Sequence, residues 1–337
     1  MLRKDTGLIT WVLTDGKAGD ELQALSVTEA LGITPELRRI KPRPPFTWFM
    51  PWGPIDPRER PSVPDSPLAP PFPDLLVASG RRAVAYLRYV KKATSGRTYT
   101  VFLKDPRTGP ETADFIWSPE YDRLRGSNVL NTLTPPHRIS AGKLEASRAH
   151  SDPRLAHLPR PRVAVLTGGN SRHHRFTDED VARFIRRLTA VAETGAGLMV
   201  TASRRTPPAL REALMGLAAA HEGFFWDGAG ENPYVDLLAQ ADFIVATADS
   251  FNMIGEAAAT GRPILAFEPS GGHPKLDVYT RALKAHGVVH PFEGRLEGQP
   301  YEPLNSTPTV AKAIAEGFRR HRHALGLPDI ALSLETP

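Results

Sequence analysis

Between Arg162 and Phe267 the chain alternates five times between a short apolar run and a helical stretch, and nearly every connection is short. The apolar runs are Arg162–Leu166, Gly197–Thr201, Phe224–Trp226, Asp242–Ala246 and Pro263–Phe267. A brief apolar run bracketed by helical periodicity is how a strand buried on both faces reads. The intervening helices carry their own punctuation. Thr177 precedes an acid three residues on, Pro207 and Pro208 open a first turn, and Gly261 stops a helix begun at Asp249-Ser250. This rhythm predicts a doubly wound parallel sheet, with any ligand at the carboxyl ends of its strands.

The first half repeats the rhythm with an interruption. Leu8–Leu13, Asp74–Gly80, Thr98–Leu103, Asp114–Trp117 and Asn128–Leu130 read as strands, with helices carried by Leu22, Leu25, Val27, Ala30 and Leu31 and by Arg82–Lys92. Residues 42–73 hold 12 of the 33 prolines, which argues against both helix and central strand there. The same segment carries Phe46, Trp48, Phe49, Met50 and Trp52. It reads either as a loop folding its aromatics back onto its own domain or as a flap facing an acceptor or a membrane. Ser151–Arg162, with three prolines and no periodicity, reads as a linker. The expected organisation is two Rossmann-like α/β domains facing a cleft: residues 1–150 with the insert 42–73, then 151–300. A helix near 308–325 and tail within 301–337 can pack back on the first domain.

The loops after the strands carry small, hydroxyl-bearing or basic residues. Gly168, Gly169 and Asn170 would let a backbone approach a ligand, with free N–H groups facing an anion. Ser203, Arg204 and Arg205 would bring hydroxyl and guanidinium groups to a diphosphate. Asp249 and Ser250 open a helix whose N-terminus favours negative charge. Glu256, nearly two turns on, could accept both hydroxyls of a ribose. Each feature alone is as readily a turn, an N-cap or surface charge; their shared edge of one sheet points to a nucleotide-diphosphate ligand.

The segment NPYVDLLAQADFIVATADSFNMIGEAAATGRPILAFEP, from Asn232, resembles the donor-binding part of glycosyltransferases with the two-domain GT-B fold. In that superfamily a Ser-then-Glu helix binds the phosphates and ribose of a nucleotide sugar such as a UDP-sugar, before a Gly-x-Pro turn, here Gly261-Arg-Pro263. More narrowly, WVLTDGKAGDELQALSVTEALG, TGGNSRHHRF, TASRRTP and DSFNMIGEAAATGRP resemble the bacterial branch of the elongated-mitochondria, or mitochondrial fission, family. That resemblance implies a GT-B-like glycosyltransferase and carries donor contacts onto Gly169, Asn170, Ser203, Arg204, Ser250 and Glu256. The family's expected His in the Pro-Glu-x-Asp stretch is Tyr121 here, so that position takes no catalytic role.

A sugar transferase needs a base for the acceptor hydroxyl in the inverting case and countercharge for the departing diphosphate. Asp15, Asp20 and Glu21, around the loop after the first strand, are the candidate bases, with Asp15 preferred. Gly16, Lys17 and Gly19 belong to the acceptor or phosphate side, and Asp105 and His137 are further loop-end candidates. Adjacent histidines such as His173-His174 rarely share a metal, and no histidine pair has metal-ligand spacing, so no metal and no cofactor are expected. The residues 14–21 lack the Gly-x-Gly-x-x-Gly of a dinucleotide site. Lys and Arg exceed Asp and Glu by 42 to 37, a net +5, which suits an anionic small ligand or an anionic membrane surface and does not indicate nucleic acid. With no cysteine and no apolar run of membrane-spanning length, the expected place is the cytoplasm, with peripheral contact to the inner membrane. The substrates would be a nucleotide sugar and a lipid-linked or other envelope acceptor. The competing readings are a non-hydrolysing nucleotide-sugar epimerase and a non-catalytic interaction protein.

Overall fold

The computed structural model describes residues 7–150 and 152–334. The basic start at residues 1–6, Ser151 at the head of the proline-bearing linker, and the last three residues of the tail lie outside them. The chain divides into two compact units. The first takes the residues up to Arg138 and those from Ser306 onward; the second runs from Ile139 to Asn305. The changeover at Arg138 precedes the linker read at 151–162, because the helix Ala141–Ala149 already belongs to the second unit.

In the first unit the chain runs β1 (Thr10–Thr14), α1 (Ala18–Ala30), β2 (Glu36–Arg39), α2 (Phe46–Phe49), β3 (Leu75–Ser79), α3 (Ala83–Ala93), β4 (Tyr99–Leu103), β5 (Phe115–Pro119) and β6 (Val129–Thr132). These strands form one six-stranded sheet in the order β2-β1-β3-β4-β5-β6, and every pairing is parallel. β1, β3, β4 and β5 are buried throughout, which is why they read as continuous apolar runs. β2 escapes that reading. Its Glu-Leu-Arg-Arg sequence is charged, as suits an edge strand exposed along one side. α1 begins at Ala18, earlier than the apolar pattern suggests, so Asp20 and Glu21 lie in its first turn. Its buried face is Gln23, Ala24, Val27 and Ala30, while Leu22, read as core, is 45% exposed.

The insert corrects a second expectation. Phe46–Phe49 forms a helical turn, since the prolines flank it rather than interrupt it.

The second unit opens with α4 (Ala141–Ala149) and continues β7 (Arg162–Thr167), α5 (Asp178–Ala192), β8 (Gly197–Ala202), α6 (Pro208–Ala220), β9 (Phe224–Trp226), α7 (Tyr234–Gln240), β10 (Phe243–Thr247), α8 (Phe251–Ala258), β11 (Ile264–Phe267), α9 (Pro274–Ala285) and β12 (Val289–Pro291). Its sheet is also six-stranded and parallel, in the order β12-β11-β10-β7-β8-β9, one strand more than the alternation announced. Thr177 and Asp180 make a full capping box at the start of α5. α10 (Thr307–Ala324) returns to the first unit and lays Val310, Ala311, Ile314 and Phe318 into the core that contains Val12, Val27, Tyr99 and Trp117. Gly317 permits that seating, because a Cβ there would stand 2.0 Å from the Tyr99 hydroxyl.

Strand order locates the useful places. In each sheet the winding reverses once, between β1 and β3 in the first unit and between β7 and β10 in the second. At such a fork the loops leaving the two strands part to opposite faces and open a crevice at the strands' carboxyl ends.

Candidate functional site

At the fork of the second sheet the loops after β7, β8 and β10 are drawn together by one carboxylate. The Asp249 side chain is fully buried and accepts from Gly169 N at 3.0 Å, Thr247 Oγ1 at 2.6 Å and Arg205 Nη2 at 3.0 Å. Arg205 also donates from Nη1 to the carbonyls of Gly169 and Asn170, both at 3.2 Å. Gly168 and Gly169 are required by this crowding: a Cβ on Gly168 would lie 2.1 Å from Asp249 Oδ1, and one on Gly169 2.0 Å from the Arg205 carbonyl oxygen. The N–H groups expected to face an anion are therefore occupied. Gly168 N donates to Thr247 Oγ1 at 2.8 Å, Gly169 N to Asp249, and Asn170 N to the Arg205 carbonyl at 3.0 Å. Asn170 is exposed, and its Oδ1 accepts from Phe176 N at 2.8 Å. Ser203 Oγ accepts from Arg205 N at 3.2 Å and pairs with Thr206 Oγ1 at 3.1 Å. Gly168, Gly169, Arg205 and Asp249 thus form a framework rather than a set of open ligand contacts.

Arg204 and Ser250 adjoin residues of this knot in sequence, and Glu256 lies on the helix that Ser250 caps. Arg204 is exposed and has no hydrogen bond or ion pair among the described residues. Ser250 is the N-cap of α8; its Oγ accepts from Met253 N at 3.4 Å, a long bond that a stronger partner could displace. Glu256, on the same helix, is half-buried and accepts from the Tyr234 hydroxyl at 2.7 Å. Burial pushes its carboxyl up from the ordinary 4.5 to about 7, and the Tyr234 hydrogen bond offsets only part of that rise. Tyr234 itself is driven well above its ordinary value by burial and then by the Glu256 charge. No sequence signal links these two residues, 22 positions apart and on different helices.

Two more features were missed. The rings of His173 and His273 meet edge to face at 4.4 Å, and His273 also touches Phe251, the first residue of α8. Burial first, and the neighbouring His173 second, lower the His273 pKa. Beyond them a cavity of about 360 Å³ is lined by His174, Asp180, Arg183, Glu268, Ser270 and Asp277 among others, and Arg204, Ser250 and Glu256 do not line it. Among the described residues no group of three or more His, Asp or Glu side chains is arranged to hold a metal ion.

The fork of the first sheet is built differently. Asp15 follows β1; its side chain is 2% exposed, with Oδ2 3.3 Å from Lys17 Nζ. Its other oxygen, Oδ1, is buried and has no hydrogen-bond partner among the described residues. Gly80, after β3, makes room for it: a Cβ there would lie 3.0 Å from Asp15 Oδ1 and 3.4 Å from Asp20 Oδ2. Two carboxylates therefore converge on one glycine. Asp20 is neutralised by Lys104 Nζ at 2.5 Å. Lys104 holds φ at +87°, a left-handed backbone that a non-glycine residue keeps only when its surroundings impose it. Glu21 is gripped by Arg39 through Nη2 at 2.7 Å and Nε at 2.9 Å, which keeps its carboxyl below the usual range. Gly16 and Lys17 are exposed, Gly16 with φ at +81°, whereas Gly19 lies inside the first turn of α1. Asp105 accepts from Arg107 N at 2.8 Å, and His137 is buried with its carbonyl taken by Thr307 Oγ1 at 2.9 Å.

Two parallel six-stranded Rossmann-like domains, each with its polar loops at the fork, define a GT-B-like α/β protein. A Listeria monocytogenes protein, provisionally assigned as a UDP-N-acetylglucosamine 2-epimerase, shares this fold with a TM-score of 0.52 at 13% identity, over 98% of this chain and all of its own. The chain belongs to the mitochondrial fission ELM1 family, whose model matches residues 18–318. It is 26% identical to the uncharacterized protein RP120 of Rickettsia prowazekii over 90% of this chain and 97% of that one. It is also 25% identical to the mitochondrial fission protein ELM1 of Arabidopsis thaliana over 72% of this chain, a match that spans 63% of the plant protein.

Proposed function

We propose that this protein is a cytoplasmic glycosyltransferase that moves a sugar from a nucleotide-diphosphate sugar to a cell-envelope acceptor without a metal ion. The observation that carries the reading is Glu256, a carboxyl held near neutrality beside Tyr234 on the helix that Ser250 caps. Such a group suits the two hydroxyls of a ribose, which can donate to its carboxylate or accept from its acid form. The N-terminus of α8 and the unpaired Arg204 supply positive potential for the diphosphate as it leaves. Asn170 and Ser203 complete the donor side, on loops set by Gly168, Gly169, Arg205 and Asp249.

In an inverting transfer the acceptor hydroxyl gives its proton to a base as its oxygen attacks the anomeric carbon and the nucleoside diphosphate departs. Asp15 is the base of choice because its Oδ1 is unengaged, whereas Lys104 holds Asp20 and Arg39 holds Glu21. Gly16 and Lys17 fall to the acceptor side.

Calorimetric titration with UDP and other nucleoside diphosphates tests the reading. Binding is expected, and Glu256→Ala should weaken it by about 1–3 kcal/mol. Conversion of a UDP-sugar with no acceptor present would mark an epimerase on the same fold. Failure of every nucleoside diphosphate to bind would leave a non-catalytic interaction protein.

A further inference from the structure

We propose that the Pro-rich insert of the first unit is a docking surface for an anionic phospholipid bilayer. Trp48, Phe49 and Trp52 would enter the headgroup region, and Arg88 and Lys92 of α3 would meet the lipid charge. The inference stands on this surface alone and does not need the transferase reading.

The insert has two sides. Its inner side is fixed: Met50, Ile55 and Leu68 are buried in the core of the first unit, and Phe46 and Phe72 pack against the same cluster. A polar clasp adds to this hold. Asp56, 1% exposed, accepts from the backbone N–H groups of Arg43 and Arg58, each at 3.1 Å. The Tyr86 hydroxyl of α3 accepts from Asp56 N at 3.3 Å and donates to Glu59.

The outer side is the reverse. Trp48 is 72% exposed, Phe49 58% and Trp52 64%. A tight turn presents them together, with Trp52 N and Gly53 N both donating to the Phe49 carbonyl, at 2.9 and 2.8 Å. Glycine is needed at 53, where a Cβ would lie 2.5 Å from that of Phe49.

A fixed platform that holds three large aromatic rings in water calls for an occupant. The neighbouring charge indicates which one. The groove beside Trp52 is lined by Arg88, Lys91 and Lys92, with Glu111 the one carboxylate. Lys91 is matched by Asp114 at 2.7 Å, whereas Arg88 and Lys92, one helical turn apart and exposed, have no ion pair among the described residues. Indole rings settle at the boundary between headgroups and acyl chains, and adjoining cations add attraction to anionic lipid. No helix among the described residues is long and apolar enough to cross a membrane, so this attachment is to the bilayer surface.

Co-sedimentation of the full chain with vesicles of phosphatidylcholine and phosphatidylglycerol, against phosphatidylcholine alone, tests the proposal. The expected result is binding to the anionic vesicles that weakens with salt, with tryptophan fluorescence quenched by brominated phosphatidylglycerol. Arg88→Ala and Lys92→Ala should each weaken binding by about fivefold. The combined Trp48→Ser, Phe49→Ser and Trp52→Ser variant should lose it. If that variant folds poorly, Trp48→Ser alone, with matched thermal unfolding, should still reduce binding and quenching. No binding to anionic vesicles, equal binding to neutral ones, or undiminished binding by the serine variants would overturn the proposal and leave this face for a protein partner.

Discussion

At the fork of the second sheet Asp249 is saturated by two hydroxyl or amide donors and a guanidinium; at the fork of the first, Asp15 keeps an oxygen to which nothing donates among the described residues. Both places arise from the same topology, and both gather acidic and basic residues around glycine. They differ in what the glycines admit. Gly168 and Gly169 let protein groups close on one another, whereas Gly80 lets two carboxylates meet in a space their cations only partly answer. A polar cluster at a strand end can therefore be closed by its own partners, as at Asp249, or keep an oxygen without a donor among the described residues, as at Asp15. The count of internal partners separates the two, and residue type does not.

Breaking the brace should give the largest effect. Asp249→Ala strands the Arg205 guanidinium, the Thr247 hydroxyl and a buried amide, and should cost about 3–5 kcal/mol in chemical denaturation. A loss below 1 kcal/mol would mean that the knot is dispensable and the contrast false. Asp15→Asn tests the other side. It should leave stability within about 1 kcal/mol yet cut sugar transfer at least a hundredfold, about 2.7 kcal/mol of barrier. Unchanged turnover would remove Asp15 from the chemistry.

Glu256 gives a subtler effect, with a sign fixed by its environment. Its folded pKa, about 7, exceeds the ordinary 4.5, so the folded protein holds the proton more tightly than the unfolded chain. Stability contributed by the protonated form is present below pH 4.5 and lost as pH rises through 7. The fall should be about 1–3 kcal/mol across that window. Glu256→Gln, which has no proton to lose, should flatten the profile; an unaltered slope would show that the carboxyl titrates normally.

The smallest contrast lies between adjacent arginines. Arg205→Ala should destabilise by about 1–2 kcal/mol, while Arg204→Ala should stay within about 0.5 kcal/mol and weaken nucleotide binding instead. Equal thermal shifts in the two variants would erase the distinction between brace and open group.

Much of the architecture was legible because central strands are covered on both faces and so write themselves as unbroken apolar runs, as β7, β8 and β10 do. β2 was not, since its charged edge follows no such pattern. Nor was the inward face of α1, where Gln23 displaces Leu22 from the interior. At the site, sequence placed the polar loops but assigned them as open. The Gly168 and Gly169 amides are consumed by Thr247 and Asp249, about 80 residues away, and short-range spacing holds no record of such a bond. The Tyr234–Glu256 pair was hidden for the same reason.

The seating of α10 against Tyr99 and Trp117 bears on how the chain is made. The first unit is spelled by two stretches of sequence separated by the whole of the second. As the polypeptide leaves the ribosome, its opening sheet waits with an apolar flank bare until Val310, Ile314 and Phe318 arrive. The later-encoded domain can thus mature before the earlier one. A truncation ahead of Thr307 would leave a holdase-binding, aggregation-prone product, even though both sheets would keep all their strands.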